Sequence, residues 1–178
     1  IGRALQEQGC RVVAVDMPNH GGSPHSAAMS YSSMAADVMA VIERLGLSKP
    51  FLVGHSMGGK TAMQMALSYP GQFAAVAVLD ISPVAYPARH DTVLDGLQVL
   101  DNTPVSSRRE GEQLLASYVP DAMTRGFLLK NLYRASDGRY RLKLNLTALL
   151  SHYHTELAAA VSGQPYRGPI LLLKGEHS

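Results

Sequence analysis

Short, nearly all-apolar runs alternate along this chain with segments whose apolar residues recur every three or four positions. The runs are Arg11–Asp16, Phe51–His55, Ala74–Ile81 and Ile170–Leu173, each bounded by Gly, Pro or Asp. That is how the central strands of a parallel sheet read, because helices cover both of their faces. Between the first two runs, Met34, Val38, Val41, Ile42 and Leu45 follow helical spacing over Ser32–Leu45, with Gly46 as the stop. After the second run a helix is predicted over Met57–Tyr69, ended by Pro70. The methionines at 63 and 65 are placed in its core face. Strand and helix in alternation predict an α/β fold with crossover helices.

From Pro83 to Gly168 the rhythm changes. Ser107-Arg108-Arg109-Glu110 is a capping box that opens a helix. Asp137-Gly138 is a turn between Leu132–Arg134 and Tyr140–Leu144, which predicts a hairpin. Leu146–Val161 reads as a further helix. The expected organisation is a core with the elbow described below over 1–82, a mostly helical lid over 83–168, and a return strand of the core over 169–178. Ile1–Gly9 reads as the tail of a helix closed by a glycine, and the expectation is that both ends belong to the middle of a larger domain.

Composition narrows the class. The chain of 178 residues is 46% hydrophobic and 17% charged, which is globular rather than disordered. No apolar run approaches the roughly 18 residues of a spanning helix. The net charge of +2 is too small and too scattered for a nucleic-acid partner. Cys10 is the only cysteine, so neither a disulfide framework nor a thiolate metal centre is available, and it is expected to be buried. The expected compartment is the cytoplasm, or the mitochondrion in a eukaryote.

The chemistry is concentrated at Gly54-His55-Ser56-Met57-Gly58, a G-x-S-x-G sequence directly after a strand and opening a helix. In a nucleophile elbow the turn is so sharp that the serine takes a strained backbone conformation. Side chains two positions either side would collide, so Gly54 and Gly58 are expected on steric grounds. The turn presents Ser56 at the C-terminal edge of the sheet and aims the Met57 N–H at a developing oxyanion. The same stretch, Gly54 to Thr61, also satisfies G-x-x-x-x-G-K-[ST], the phosphate-binding loop of nucleotide hydrolases, with Val76–Asp80 resembling their acidic strand. Three readings therefore stand: a serine hydrolase, a nucleotide-binding protein, and an inactive binding module of the hydrolase fold.

A serine nucleophile requires a base and an acid that orients it. Asp80 ends the strand after the elbow helix and falls at the same sheet edge as Ser56. The bland alternative is a strand-end aspartate capping Ser82, and Glu176 after the last run is the rival acid. None of the seven histidines, at 20, 25, 55, 90, 152, 154 and 177, is well placed as the base. This fold carries it on a loop after the final strand, beyond this chain. His177 is the first substitute should the chain act alone. His152 and His154 are two apart on a helix, so their rings diverge and a metal pair is not expected. Arg139, Arg141 and Lys143 alternate with Tyr140, Leu142 and Leu144, which predicts a solvated outer face or, alternatively, contact with an anionic substrate group.

Taken together these residues resemble the YbfF-like esterases, the group that includes alpha/beta-hydrolase domain-containing protein eleven. The resemblance lies in Asp16–Ser26 with Met29-Ser30-Tyr31, in Gly54–Met63, in Asp80–Val84 and in Arg139–Leu149. It implies an α/β-hydrolase fold and cofactor-free cleavage of a small-molecule acyl ester or thioester. It also implies an acid after the strand that follows the elbow, which is Asp80. The general fold places an aspartate three positions beyond Gly175, where this chain has Ser178, which again favours Asp80 over Glu176. Pro18 stands where the group usually has arginine. The first strands, the His-Gly oxyanion loop and the terminal histidine loop of the group have no counterpart in these 178 residues.

Overall fold

The structure is a computed structural model that describes residues 1–87 and 90–176. It begins with the short helix α1 (Gly2–Glu7), after which Gly9 turns the chain at φ 83°. Helix α2 (Tyr31–Arg44) opens on Ser30, whose hydroxyl accepts from Ser33 N–H while Ser33 Oγ accepts from Ser30 N–H. Two orphan donors of the first turn are thereby satisfied. The buried face is Tyr31, Met34, Ala35, Val38 and Ile42. Leu45 lies at the cap and is exposed, because the helix has ended before its side chain could turn inward.

Strand β1 (Phe51–His55) runs into helix α3 (Met57–Ser68), which leads to strand β2 (Ala75–Leu79). Strand β5 (Ile170–Leu173) completes a parallel sheet of order β1-β2-β5. The register sets His55 opposite Leu79 and Leu79 opposite Leu173, so the three strands end level. Helices α2 and α3 cover one face. Ala35, Val38, Ile42, Met63, Met65, Phe73, Val76 and Val78 form a continuous buried cluster there.

Three expectations about this region are corrected. Arg11–Asp16 is apolar enough for a strand but is not paired into the sheet, and Val13 and Val15 are exposed. A strand is completed by a partner's backbone groups, and hydrophobicity cannot supply them. Phe51, Val53 and the whole of β5 are exposed where burial on both faces was expected, and β1 and β5 border the three-stranded sheet of the described residues. Cys10, beside the unpaired segment, is exposed rather than buried.

Between β2 and β5 the chain forms helices α4 (Asp91–Asn102), α5 (Arg108–Ala116) and α6 (Ala122–Leu128). The hairpin β3 (Leu132–Arg134) and β4 (Tyr140–Leu142) follows, then helix α7 (Leu146–His152). This region has its own apolar cluster, from Leu97 and Leu100 through Leu115 and Leu132 to Leu146, separate from the one beneath the sheet. Ser107 caps α5 as its sequence requires, but Glu110 binds Ser106 N–H and Oγ rather than closing the box on Ser107. The helix predicted to Val161 stops at His152 and continues as a π-helical turn, Tyr153–Leu157. Arg139, Arg141 and Lys143 face solvent while Leu142 and Leu144 are buried, and Arg141 pairs with Asp137 at 2.7 Å.

The loop after Asp16 is stitched to this region. Asn19 is fully buried; its Oδ1 accepts from Ser26 N–H and Asn145 Nδ2, and its carbonyl from Asn145 N–H. His25 and His152 add ring-nitrogen bonds to the carbonyls of Lys143 and Ala27. Two segments more than a hundred residues apart, both within the family resemblance, are thus one hydrogen-bonded unit.

Candidate active site

The junction of β1 and α3 has no intervening loop: the strand ends at His55 and the helix begins at Met57. Ser56 absorbs the whole reversal, with φ 51° and ψ −121°, a conformation that costs a non-glycine residue on the order of 1–3 kcal/mol. Its N–H donates to Leu79 O at 3.1 Å, and its carbonyl accepts the first helical bond from Lys60 N–H at 3.0 Å. These bonds on both sides hold the strain in place. Ser56 is exposed at the sheet edge, and the Met57 N–H lies in the first turn of α3, where backbone donors have no partner within the helix.

The glycines act differently from the expectation. A Cβ on Gly54 would overlap the carbonyl oxygen of Gly58 and stand 2.7 Å from Gly59 N, so Gly54 is obligatory. A Cβ on Gly58 meets nothing within 4 Å, because the crowding comes from its backbone and not from its side. The second crowded position is Gly59, where a Cβ would sit 2.6 Å from Ile81 Cγ2 and 3.2 Å from Val78 Cγ1. Motif spacing did not single it out; the packing of α3 on β2 does. Gly54→Ala and Gly59→Ala are each expected to destabilise the protein by about 1–3 kcal/mol or more, since rigid neighbours must move. Gly58→Ala is expected to be neutral or to gain up to about 1 kcal/mol of helix propensity. Urea unfolding of the three variants checks the ranking.

Asp80 follows β2 as Ser56 follows β1, one parallel strand spacing away, or about 4.8 Å. It too has a positive φ, 55°. Its N–H donates to Leu173 O at 2.7 Å, and its Oδ1 accepts from Gly175 N–H at 2.8 Å. The carboxylate is thereby fixed between β2 and the loop leaving β5. Glu176 is exposed in that loop. His20, His25, His90, His152 and His154 contact Pro18 O, Lys143 O, Tyr153 Oη, Ala27 O and Asp91 Oδ1 respectively. His55 is exposed at the end of β1, and His177 and Ser178 lie outside the described residues. Among the described residues no cluster of His, Cys, Asp or Glu could hold a metal ion, and no helix is long and apolar enough to cross a membrane.

The phosphate-loop reading finds no support here. A loop that wraps a phosphate needs residues between strand and helix, and there is one. Lys60 and Thr61, which that reading turns toward a ligand, are each 1% exposed. Lys60 Nζ donates to the carbonyl of Ala159, and Thr61 Oγ1 to Met57 O at 3.0 Å.

A parallel sheet whose strand turns into a helix through one strained serine, with an acid at the end of the next strand and a helical excursion before the last, has the architecture of an α/β-hydrolase. The chain belongs to the alpha/beta hydrolase fold family, whose model matches residues 1–178. It is 39% identical over 180 residues to the sn-1-specific diacylglycerol lipase ABHD11 of Mus musculus, covering 98% of this chain and 58% of that protein. It is 29% identical over 143 residues to esterase YbfF of Escherichia coli, covering 80% of this chain and 54% of that one. Among solved structures, a marine microorganism esterase superposes with a TM-score of 0.84 at 35% identity, over 90% of this chain and 64% of that one. The chain therefore spans a little over half the length of these curated relatives.

Proposed function

We propose that the full-length protein is a serine hydrolase of carboxylic esters or acyl thioesters, working through an acyl-enzyme with Ser56 as nucleophile. The observation that carries the reading is the backbone of Ser56. Strain at an exposed serine persists only where the surrounding structure over-determines it, and here it presents the hydroxyl at the sheet edge. Ser56 Oγ attacks the acyl carbonyl, and its proton passes to a histidine supplied by sequence outside these 178 residues. Asp80 orients that imidazole and stabilises its cationic form. The Met57 N–H is one of two donors to the oxyanion of the tetrahedral intermediate. Collapse expels the alcohol or thiol, which takes the proton from the imidazolium. Water, deprotonated by the same histidine, then releases the acid and restores Ser56. No step calls on a cofactor. Residues 83–168 act as the lid whose fit to the acyl group sets specificity. Relatives bearing the names lipase and esterase support catalysis over the inert binding module.

The direct test is covalent. A fluorophosphonate probe is expected to label the full-length protein at one site, the peptide carrying Ser56, with excess short-chain ester slowing the labelling. Absence of labelling in folded protein, or labelling elsewhere, sinks the proposal.

A further inference from the structure

Lys60 is a buried cation that the proposed mechanism does not use. It lies one turn after Ser56 on α3 and is 1% exposed. Among the described residues no carboxylate pairs with it. Its Nζ donates to the carbonyl of Ala159 and stands 5.4 Å from the centre of the Tyr31 ring and 5.2 Å from that of Tyr86. Burial lowers its pKa, and the same desolvation holds the Tyr31 phenol up at about 12.

The surroundings are the two ends of the insertion. On the outgoing side, Tyr86 Oη accepts from Ser82 N–H at 2.9 Å, two residues after Asp80. Tyr86 N–H donates to Ala158 O at 2.9 Å, and Val161 N–H to Pro83 O at 3.0 Å, so the outgoing and returning segments bond to each other. On the returning side, Tyr31 Oη donates to Leu157 O at 2.9 Å, and Gln64, one turn beyond Lys60, exchanges bonds with Ser162 N–H and O. The returning segment directly follows the π-helical turn, an irregularity common where a helix is bent for function. An uncharged side chain of the same length would fill this space without desolvating a charge. A cation here makes what a methionine cannot: a charge-assisted bond to one segment together with attraction to two ring faces.

We propose that Lys60 is a positioning residue, a latch that pins both ends of the insertion to the elbow helix and thereby sets the pose of the lid relative to Ser56 and its tolerance for long acyl groups. The acyl-group part rests on the hydrolase reading; the latch itself does not.

The test compares Lys60→Met with the wild type in the full-length protein, with Tyr86→Leu as a second variant that removes one ring face, together with the Oη bond from Ser82, but leaves Lys60. Hydrogen exchange at the amides of Tyr86 and Val161 is expected to quicken tenfold or more in both variants, with the amides of β1 and β2 unchanged. For Lys60→Met, kcat/KM on p-nitrophenyl octanoate is expected to fall about tenfold through KM, while that on the acetate stays within threefold. Lys60→Arg, which keeps the charge, should recover part of the loss. Unchanged exchange at Tyr86 and Val161, or acceleration spread equally over the sheet, overturns the latch. A uniform loss on both esters overturns the role in acyl selection. If Ser56 of the wild type resists a fluorophosphonate while the two amides still loosen, the hydrolase reading fails and the latch stands.

Discussion

Ser56→Ala in the full-length protein is expected to lower kcat/KM on p-nitrophenyl esters by about three or more powers of ten, equivalent to about 4 kcal/mol of transition-state stabilisation. The expectation follows from a covalent role: without the hydroxyl no acyl-enzyme forms, and only binding and the oxyanion donors still act on the substrate. Stability should respond differently. The Ser56 backbone bonds to Leu79 and Lys60, and an alanine inherits both bonds and the φ of 51°. Its Tm should therefore match the wild type. Ser56→Gly should be equally inactive yet more stable by about 1 kcal/mol, because glycine adopts this backbone without the Cβ penalty. Turnover within tenfold of wild type in either variant would remove Ser56 from the chemistry.

The contrast between those substitutions explains which parts of this molecule its sequence disclosed. Phe51–His55 and Ile170–Leu173 were legible to the residue, since a short apolar run bounded by turn formers has few other fates. Helix α2 was legible from Met34, Val38 and Ile42, and Met63 and Met65 are buried as their spacing requires. The strand-to-helix junction at Ser56 was legible from Gly54–Gly58, although the same residues also fit a phosphate loop and only the structure shows a single residue between strand and helix. What stayed hidden depended on contacts between distant residues. Gly59 is crowded by Ile81 and Val78, and the Asn19–Asn145 bonds join segments 126 positions apart. Arg11–Asp16 failed for the opposite reason, since local composition stated a strand that pairing does not complete. In sequence Lys60 fits a phosphate motif as well as a hydrolase elbow. Its true surroundings, two tyrosines and the carbonyl of Ala159, come from three separate elements.

The identity of the acid is the second large effect. Asp80→Asn is expected to reduce kcat of the full-length protein by about three to four powers of ten, whereas Glu176→Gln should cost less than tenfold. Asparagine is nearly isosteric with aspartate and is among the few residues that tolerate the positive φ of 55° found at this position. Its carbonyl oxygen can keep the 2.8 Å bond from Gly175 N–H, so the link to the loop after β5 survives and the fold should too. What changes is the other half of the group. A donor replaces the second carboxylate oxygen, and the negative charge that stabilises an imidazolium is gone. In the proposed triad the histidine is then left in the wrong tautomer to take the proton from Ser56. Glu176 is instead exposed on the loop beyond Gly175, three residues past the end of β5. The measurement is kcat for both variants on one ester, with thermal unfolding to confirm that Asp80→Asn is folded. A severe loss in Glu176→Gln beside a mild one in Asp80→Asn would move the acid to the loop after β5 and leave Asp80 as a turn residue.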